Sequence, residues 1–178
     1  MPRIAFSRRR FLTSAAALPV ALAAPGLSRA ASRPTITHGV QTGDVAHDGA
    51  VIWARADRPS NMLVEWSTVE SFANARKVPA LGLTSATDHS GKMALTGLPS
   101  DQEVFYRVSM VDLADVNAVS APVVGRFRTA PTTARDVSFV WSGDTAGQGW
   151  GIDEDRGGMY AYRTMAGHEP DFFIHSGD

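Results

Sequence analysis

The sequence predicts an all-β sandwich of the immunoglobulin or fibronectin III kind, followed by a βαβ unit that begins an α/β domain. Three observations carry this reading. Apolar and polar residues alternate with period two through much of residues 37–131. Clusters of turn-forming residues break that pattern at short intervals. Past Pro131 the chain reads as strand, Gly-rich loop, helix and strand, and both strands run into Gly-Asp.

Within the first region, "AVIWARA" (Ala50 to Ala56) sets Val51, Trp53 and Arg55 on one face and Ile52 and Ala54 on the other. "MLVEWSTV" sets Met62, Val64 and Trp66 opposite Leu63, Glu65 and Ser67. "EVFYRVSMV" sets Val104, Tyr106, Val108 and Met110 opposite Arg107 and Ser109. Gly-Asp, Asp-Gly, Arg-Pro-Ser-Asn, Ser-Gly and Leu-Pro-Ser-Asp supply the turns. Strands at this spacing make a sandwich of about ninety residues. Trp53 and Trp66 are assigned to its core.

Pro131, Thr132 and Thr133 form a short linker, and a second unit follows over residues 136–178. "VSFVW" (Val137 to Trp141) is a continuous apolar run, the pattern of a strand covered on both faces. Met159, Tyr162, Met165 and Ala166 recur at helical spacing until Gly167 and Pro170 stop the helix. "FFIHSGD" (Phe172 to Asp178) is the second strand. A βαβ unit is parallel, so Asp144 and Asp178 fall at the carboxyl ends of neighbouring strands, the edge where open α/β sheets bind ligands. Gly143 and Gly177 are read as the residues that let each carboxylate turn out of its strand.

Residues 1–30 are set apart as an export signal. A basic front with Arg3, Arg8, Arg9 and Arg10 precedes an Ala-rich apolar stretch, and Ser28-Arg29-Ala30 offers a small-x-small cleavage pattern ending at Ala30. Pro19 and Pro25 interrupt the apolar stretch, which argues against a stable membrane anchor. "SRRRFL", with Ser7, Arg8, Arg9, Phe11 and Leu12, resembles the twin-arginine (Tat) consensus, which implies export of a folded protein through the Tat translocase.

The 178 residues are 44% hydrophobic and 20% charged, an ordinary globular balance. Removing the five arginines of residues 1–30 leaves 12 basic against 18 acidic residues, a net charge of −6. With no dense basic patch, a nucleic-acid surface is not expected. The absence of cysteine excludes disulfides, thiolate metal sites and a cysteine nucleophile within this sequence.

Two acids converging in a partly dry site repel unless a cation neutralises both. Oxygen donors suit hard or borderline cations, and two such ions about 4 Å apart activate water and neutralise phosphoryl charge. By spacing alone, each Gly-Asp also reads as a turn. Other residues read more simply: His175 fills a sheet position, Arg156 belongs to a solvated loop, and the run Asp153, Glu154, Asp155 lacks the spacing of a calcium loop. His38, His47, His89 and His168 show no zinc-site spacing, and no Gly-x-Ser-x-Gly elbow, P-loop or dinucleotide fingerprint occurs.

The stretches "HGVQTGDVAHDGAVIWARA", "GLPSDQEVFYRV", "GRFRTAP" and "PDFFIHSGD", in that order after a Tat-type signal, resemble the PhoD-type alkaline phosphatases of the calcineurin-like metallophosphatase superfamily. That family also includes phospholipase D-type phosphodiesterases. The resemblance implies a dinuclear metal centre, iron with calcium or zinc, that hydrolyses phosphate mono- or diesters in the periplasm or outside a bacterial cell. It implies that Asp178 bridges the metals and that Asp144 is the ligand of the first motif. The sequence departs from the family pattern in having no cysteine near Asp144, and "GDTAG" is one residue longer than the Gly-Asp-x-Gly block of purple acid phosphatases. Family members continue with a tyrosine, an Asn-His block and further histidines that have no counterpart in these 178 residues. The expectation is a truncated amino-terminal part, with no catalytic residue of its own assigned and no phosphatase activity alone. The alternatives are a phospholipase D-type phosphodiesterase on the same scaffold and a non-catalytic β-sandwich binding module.

Overall fold

The computed structural model describes residues 33–147 and 151–178. Arg8, Arg9, Phe11, Leu12 and Ala30, assigned above to the export signal and its cleavage point, lie outside the described residues.

Eight strands build two facing antiparallel sheets. The first contains β1 (Ile36–Gly43), β2 (Gly49–Ala56) and β6 (Ser90–Thr96) in the order β1-β2-β6. The second contains β3 (Ser60–Ser67), β4 (Arg76–Lys77), β5 (Leu81–Leu83), β7 (Glu103–Asp112) and β8 (Val123–Arg128). Its order is β4-β3-β7-β8, and β5 pairs with the first residues of β3 while β4 pairs with its last. Three of the six strand pairings, β2 with β6 and β3 with β5 and β7, join strands that are not consecutive in sequence, which is how a sandwich differs from a simple meander.

The alternation read from the sequence sets which faces meet. Ile52, Ala54, Met93 and Leu95 of the first sheet pack against Met62, Val64, Trp66, Val104, Tyr106, Val108 and Met110 of the second, all buried. Each large side chain removed from water in this way contributes roughly 1.5–3 kcal/mol. Trp66 is core as expected, with the Arg76 guanidinium 5.1 Å from its ring centroid. Trp53 is not. It lies half-buried on the outer face of β2, because strand parity sets it opposite Ile52 and Ala54. The facing sheet supplies Trp66 and Tyr106 to the interior, and the smaller face of β2 is the one that fits against them.

Outer faces are held by ion pairs between neighbouring strands. Glu65 pairs in register with both Lys77 and Arg107, and Arg107 Nε donates to Glu65 Oε2 at 2.6 Å. This contact first, and the nearby positive charges after it, hold the Glu65 carboxyl below its ordinary range against the opposing effect of burial. Arg55 pairs with Asp88, Arg126 with Glu103 and Arg128 with Asp101.

The sandwich closes at Thr129, which is fully buried. Its Oγ1 accepts from Gln102 N–H at 3.0 Å and donates to the Pro99 carbonyl at 2.7 Å, while its own N–H donates to the Gln102 carbonyl. The segment leaving β8 is thereby fixed to the turn between β6 and β7. Among the described residues no later residue is buried.

Beyond the sandwich lie β9 (Phe139–Ser142), the helix α1 (Tyr160–Ala166) and β10 (Phe172–His175). β9 and β10 pair in parallel, Phe139 with Phe172 through Ser142 with His175, so the strand, helix, strand order read from the sequence is present. The expected covering of β9 on both faces is not. Phe139 is 56% exposed and Trp141 66%, and all of β10 is exposed. The physical reason is the size of the helix: its seven residues include none that is buried, too few to cover a sheet face. Tyr162 meets the edge of Phe173 at 5.6 Å, and Phe139 stacks on Phe172 at 5.4 Å. Gly167 caps the helix where the sequence predicts its end.

Candidate functional site

The site is built at the carboxyl ends of the two parallel strands. β9 runs through Ser142 into Gly143-Asp144-Thr145, and β10 runs through His175 into Ser176-Gly177-Asp178. Beyond the last paired residues the backbones stay joined: Ser176 N–H donates to the Ser142 carbonyl at 3.0 Å, and Thr145 N–H donates to the Asp178 carbonyl at 2.6 Å. Both Gly-Asp loops therefore meet at one edge, with the Asp144 and Asp178 side chains exposed. Gly177 has φ +97°, a conformation open to glycine at little cost, and so permits the turn assigned to it. Gly143 has no positive φ, and a Cβ there would meet nothing within 4 Å, so the turn at this position does not require glycine.

Side chains then fix one loop against the other. His175 Nδ1 accepts from Gly177 N–H at 3.0 Å, which leaves the ring proton on Nε2. Nε2 then donates to Thr145 Oγ1 at 2.7 Å, and the Thr145 hydroxyl also meets the Tyr162 hydroxyl of α1. Trp141 Nε1 donates to Ser176 Oγ at 2.7 Å. His175, read from the sequence as filling a sheet position, thus links the loop after β9, the loop after β10 and the helix. Thr145 and Tyr162 carried no sequence signal, because their partners lie 30 and 17 residues from Thr145 and depend on the parallel register.

A cleft of about 250 Å³ opens between the loop after β9 and the helix, lined by Ser142, Asp144, Thr145, Tyr160, Tyr162 and Met165. Asp178 does not line it. The two acids share an edge through their backbones, and Asp144 alone faces the cleft.

Carboxylate oxygens of this kind fit a hard or borderline cation. Their number falls short: among the described residues no group of three or more His, Asp or Glu side chains is placed to hold a metal ion. Asp144 and Asp178 thus constitute part of a donor set, and no chemical step follows from them alone.

Two charged residues near this region have structural partners. Arg156 pairs with Asp153 at 3.3 Å within its own loop. Arg135 of the linker grips Asp171 with two donors at 2.7 and 3.2 Å, and Ser138 N–H donates to Asp171 Oδ2 at 2.9 Å. The guanidinium first, and the amide after it, hold the Asp171 carboxyl at about 2 instead of 3.8. This clamp fixes the turn before β10 against the strand beside it, and so sets where Asp178 emerges.

Comparison with known proteins adds a family and a fold. The model of the PhoD-like phosphatase, N-terminal domain, matches residues 20–131. A solved structure of PhoD superposes with a TM-score of 0.58 at 20% identity, covering 77% of this chain and 26% of its own length. The chain thus spans about a quarter of that structure, and at this identity the likeness shows the fold alone. A human fibronectin type III domain aligns over 55% of this chain and 75% of itself, with a TM-score of 0.43 and 11% identity. A computationally redesigned β-sandwich aligns over 57% of this chain and 97% of itself, with a TM-score of 0.41 and 17% identity. No curated protein matches.

Proposed function

Because the chain belongs to the PhoD-like phosphatase N-terminal domain family, we propose that it serves an exported, metal-dependent phosphoesterase to whose metal centre Asp144 and Asp178 contribute. The observation that carries this reading is the Thr145 to Asp178 backbone hydrogen bond, which continues the parallel pairing and unites two Gly-Asp loops at one sheet edge. When bound, a pair of cations supplies an activated water and neutralises phosphoryl charge. The residues of this chain contribute two carboxylates, a His175 ring that orients the Thr145 loop, and a cleft beside Asp144. Two carboxylates are fewer than a dinuclear centre needs, so the 178-residue chain by itself does not turn over phosphoesters.

Export rests on the twin-arginine pattern at Arg8 and Arg9. No helix among the described residues is long and apolar enough to cross a membrane.

The test has two arms. The purified 178-residue chain is assayed on p-nitrophenyl phosphate and its bis ester with iron, zinc and calcium supplied; metal-dependent turnover would refute the claim that it lacks activity alone. The longest natural chain carrying this sequence is assayed in the same way. Its hydrolysis should require metal and fall on the order of a hundredfold or more in Asp178→Asn. Undiminished hydrolysis in that variant would remove Asp178 from the centre.

A further inference from the structure

The outer face of the β1-β2-β6 sheet carries a cleft of about 330 Å³ whose lining shares no residue with the Gly-Asp edge. Gln41, Trp53 and Lys92 line it and are consecutive register partners, one on each strand, so they form a single row across the sheet. Val51 and Asp44 line it as well. Gly43 and Ala94, the register partners of Val51, keep the neighbouring row low, and a Cβ at Gly43 would meet nothing within 4 Å.

This row differs from the rest of the sandwich surface. On other parts of that surface outward charges pair with one another, as in Glu65 with Arg107 and Arg55 with Asp88. Here, among the described residues, no hydrogen bond or ion pair engages the side chains of Gln41, Asp44 or Lys92 or the Trp53 indole N–H. The set presents an aromatic surface, an amide that donates and accepts, one carboxylate and one ammonium. Its formal charges cancel, which disfavours a strongly anionic or cationic ligand. An apolar ligand would leave the polar groups desolvated without partners, which is costly. A ring with apolar C–H faces and a rim of hydroxyls satisfies both kinds of group.

We propose that this cleft binds a glycosyl unit of an oligosaccharide, with one sugar face against Trp53 and its hydroxyls bonded to Gln41, Asp44 and Lys92. This activity is independent of the phosphoesterase reading.

The test is isothermal calorimetry of the full chain with cellotetraose and chitotetraose as probes at millimolar concentrations, and with inorganic phosphate in parallel. Binding of at least one saccharide is expected, weakened about tenfold or more in Trp53→Ala. Gly43→Val, which adds bulk to the cleft without touching the core, should abolish binding while the far-ultraviolet circular dichroism stays that of the parent. Lack of binding to either saccharide overturns the proposal. So does saccharide binding unaffected by both substitutions, or a response to phosphate alone.

Discussion

The Tyr106 ring lies directly over Gly125, its register partner on β8, so that a Cβ on Gly125 would fall within 2.7 Å of Cε1 and closer still to Cζ. Tyr106 is buried, its hydroxyl accepts from Thr42 Oγ1 at 2.9 Å, and Phe127 tilts against the ring at 6.0 Å. The ring thus joins three strands of both sheets, and glycine is the residue that leaves room for it. Burial pushes the phenol above its ordinary range, so it stays neutral and available for this bond at alkaline pH. Gly125→Ala should lower stability by about 1–3 kcal/mol through overpacking. Tyr106→Phe, which loses only the Thr42 bond, should cost about 1 kcal/mol. Urea unfolding midpoints check both, and an unchanged midpoint for Gly125→Ala would show that the ring moves aside freely.

Thr129 seals the sandwich with a fully buried hydroxyl bonded at both ends. Thr129→Val keeps the volume and strands the Gln102 amide and the Pro99 carbonyl, and is expected to cost about 1–3 kcal/mol. With no buried residue beyond Thr129 among the described residues, limited proteolysis should cleave after Pro131 while the sandwich survives. Equal digestion of both regions would mean that they unfold as one unit.

The Arg135 to Asp171 clamp sets an acid limit on the β9–β10 unit. The folded chain holds the Asp171 carboxyl at about 2 against an ordinary 3.8, so it binds that proton less readily than the unfolded chain does. The resulting stabilisation is complete above about pH 4 and is lost as pH falls through about 2. Amide exchange at Ser138 should accelerate across this window in the parent and be fast and nearly pH-independent, apart from intrinsic chemistry, in Asp171→Asn. Identical profiles for the two proteins would remove the clamp.

Thr145 holds the Asp144 loop through its hydroxyl, which joins His175 to Tyr162. Thr145→Val should loosen residues 143–147 while Thr145→Ser retains them, read as amide exchange or as nuclear magnetic resonance order parameters. Equal behaviour of the two variants would show that the backbone bond to Asp178 suffices.

Legibility in the sequence followed burial. β2, β3 and β7 each show alternation because one face is inside, and the structure buries Val64 and Val108 on the faces read as inward. Arg76-Lys77 and Leu81-Gly82-Leu83 are too short to display a period, so β4 and β5 emerge only from their pairing with β3. Alternation also could not tell which side of β2 is inward, and the size of Trp53 suggested the wrong one. The Gly-Asp pairs marked the candidate edge because their chemistry is local. The His175, Thr145 and Tyr162 connection is long-range, and no spacing along the chain announces it.

The parallel pairing of β9 with β10 joins Ser138 to Asp171 across 33 residues, and both strands follow the last strand of the sandwich in the chain. During synthesis the sandwich emerges whole before Phe172 exists to be paired. Among the described elements the carboxylate edge consequently assembles after the sandwich, raised on a scaffold that has already set.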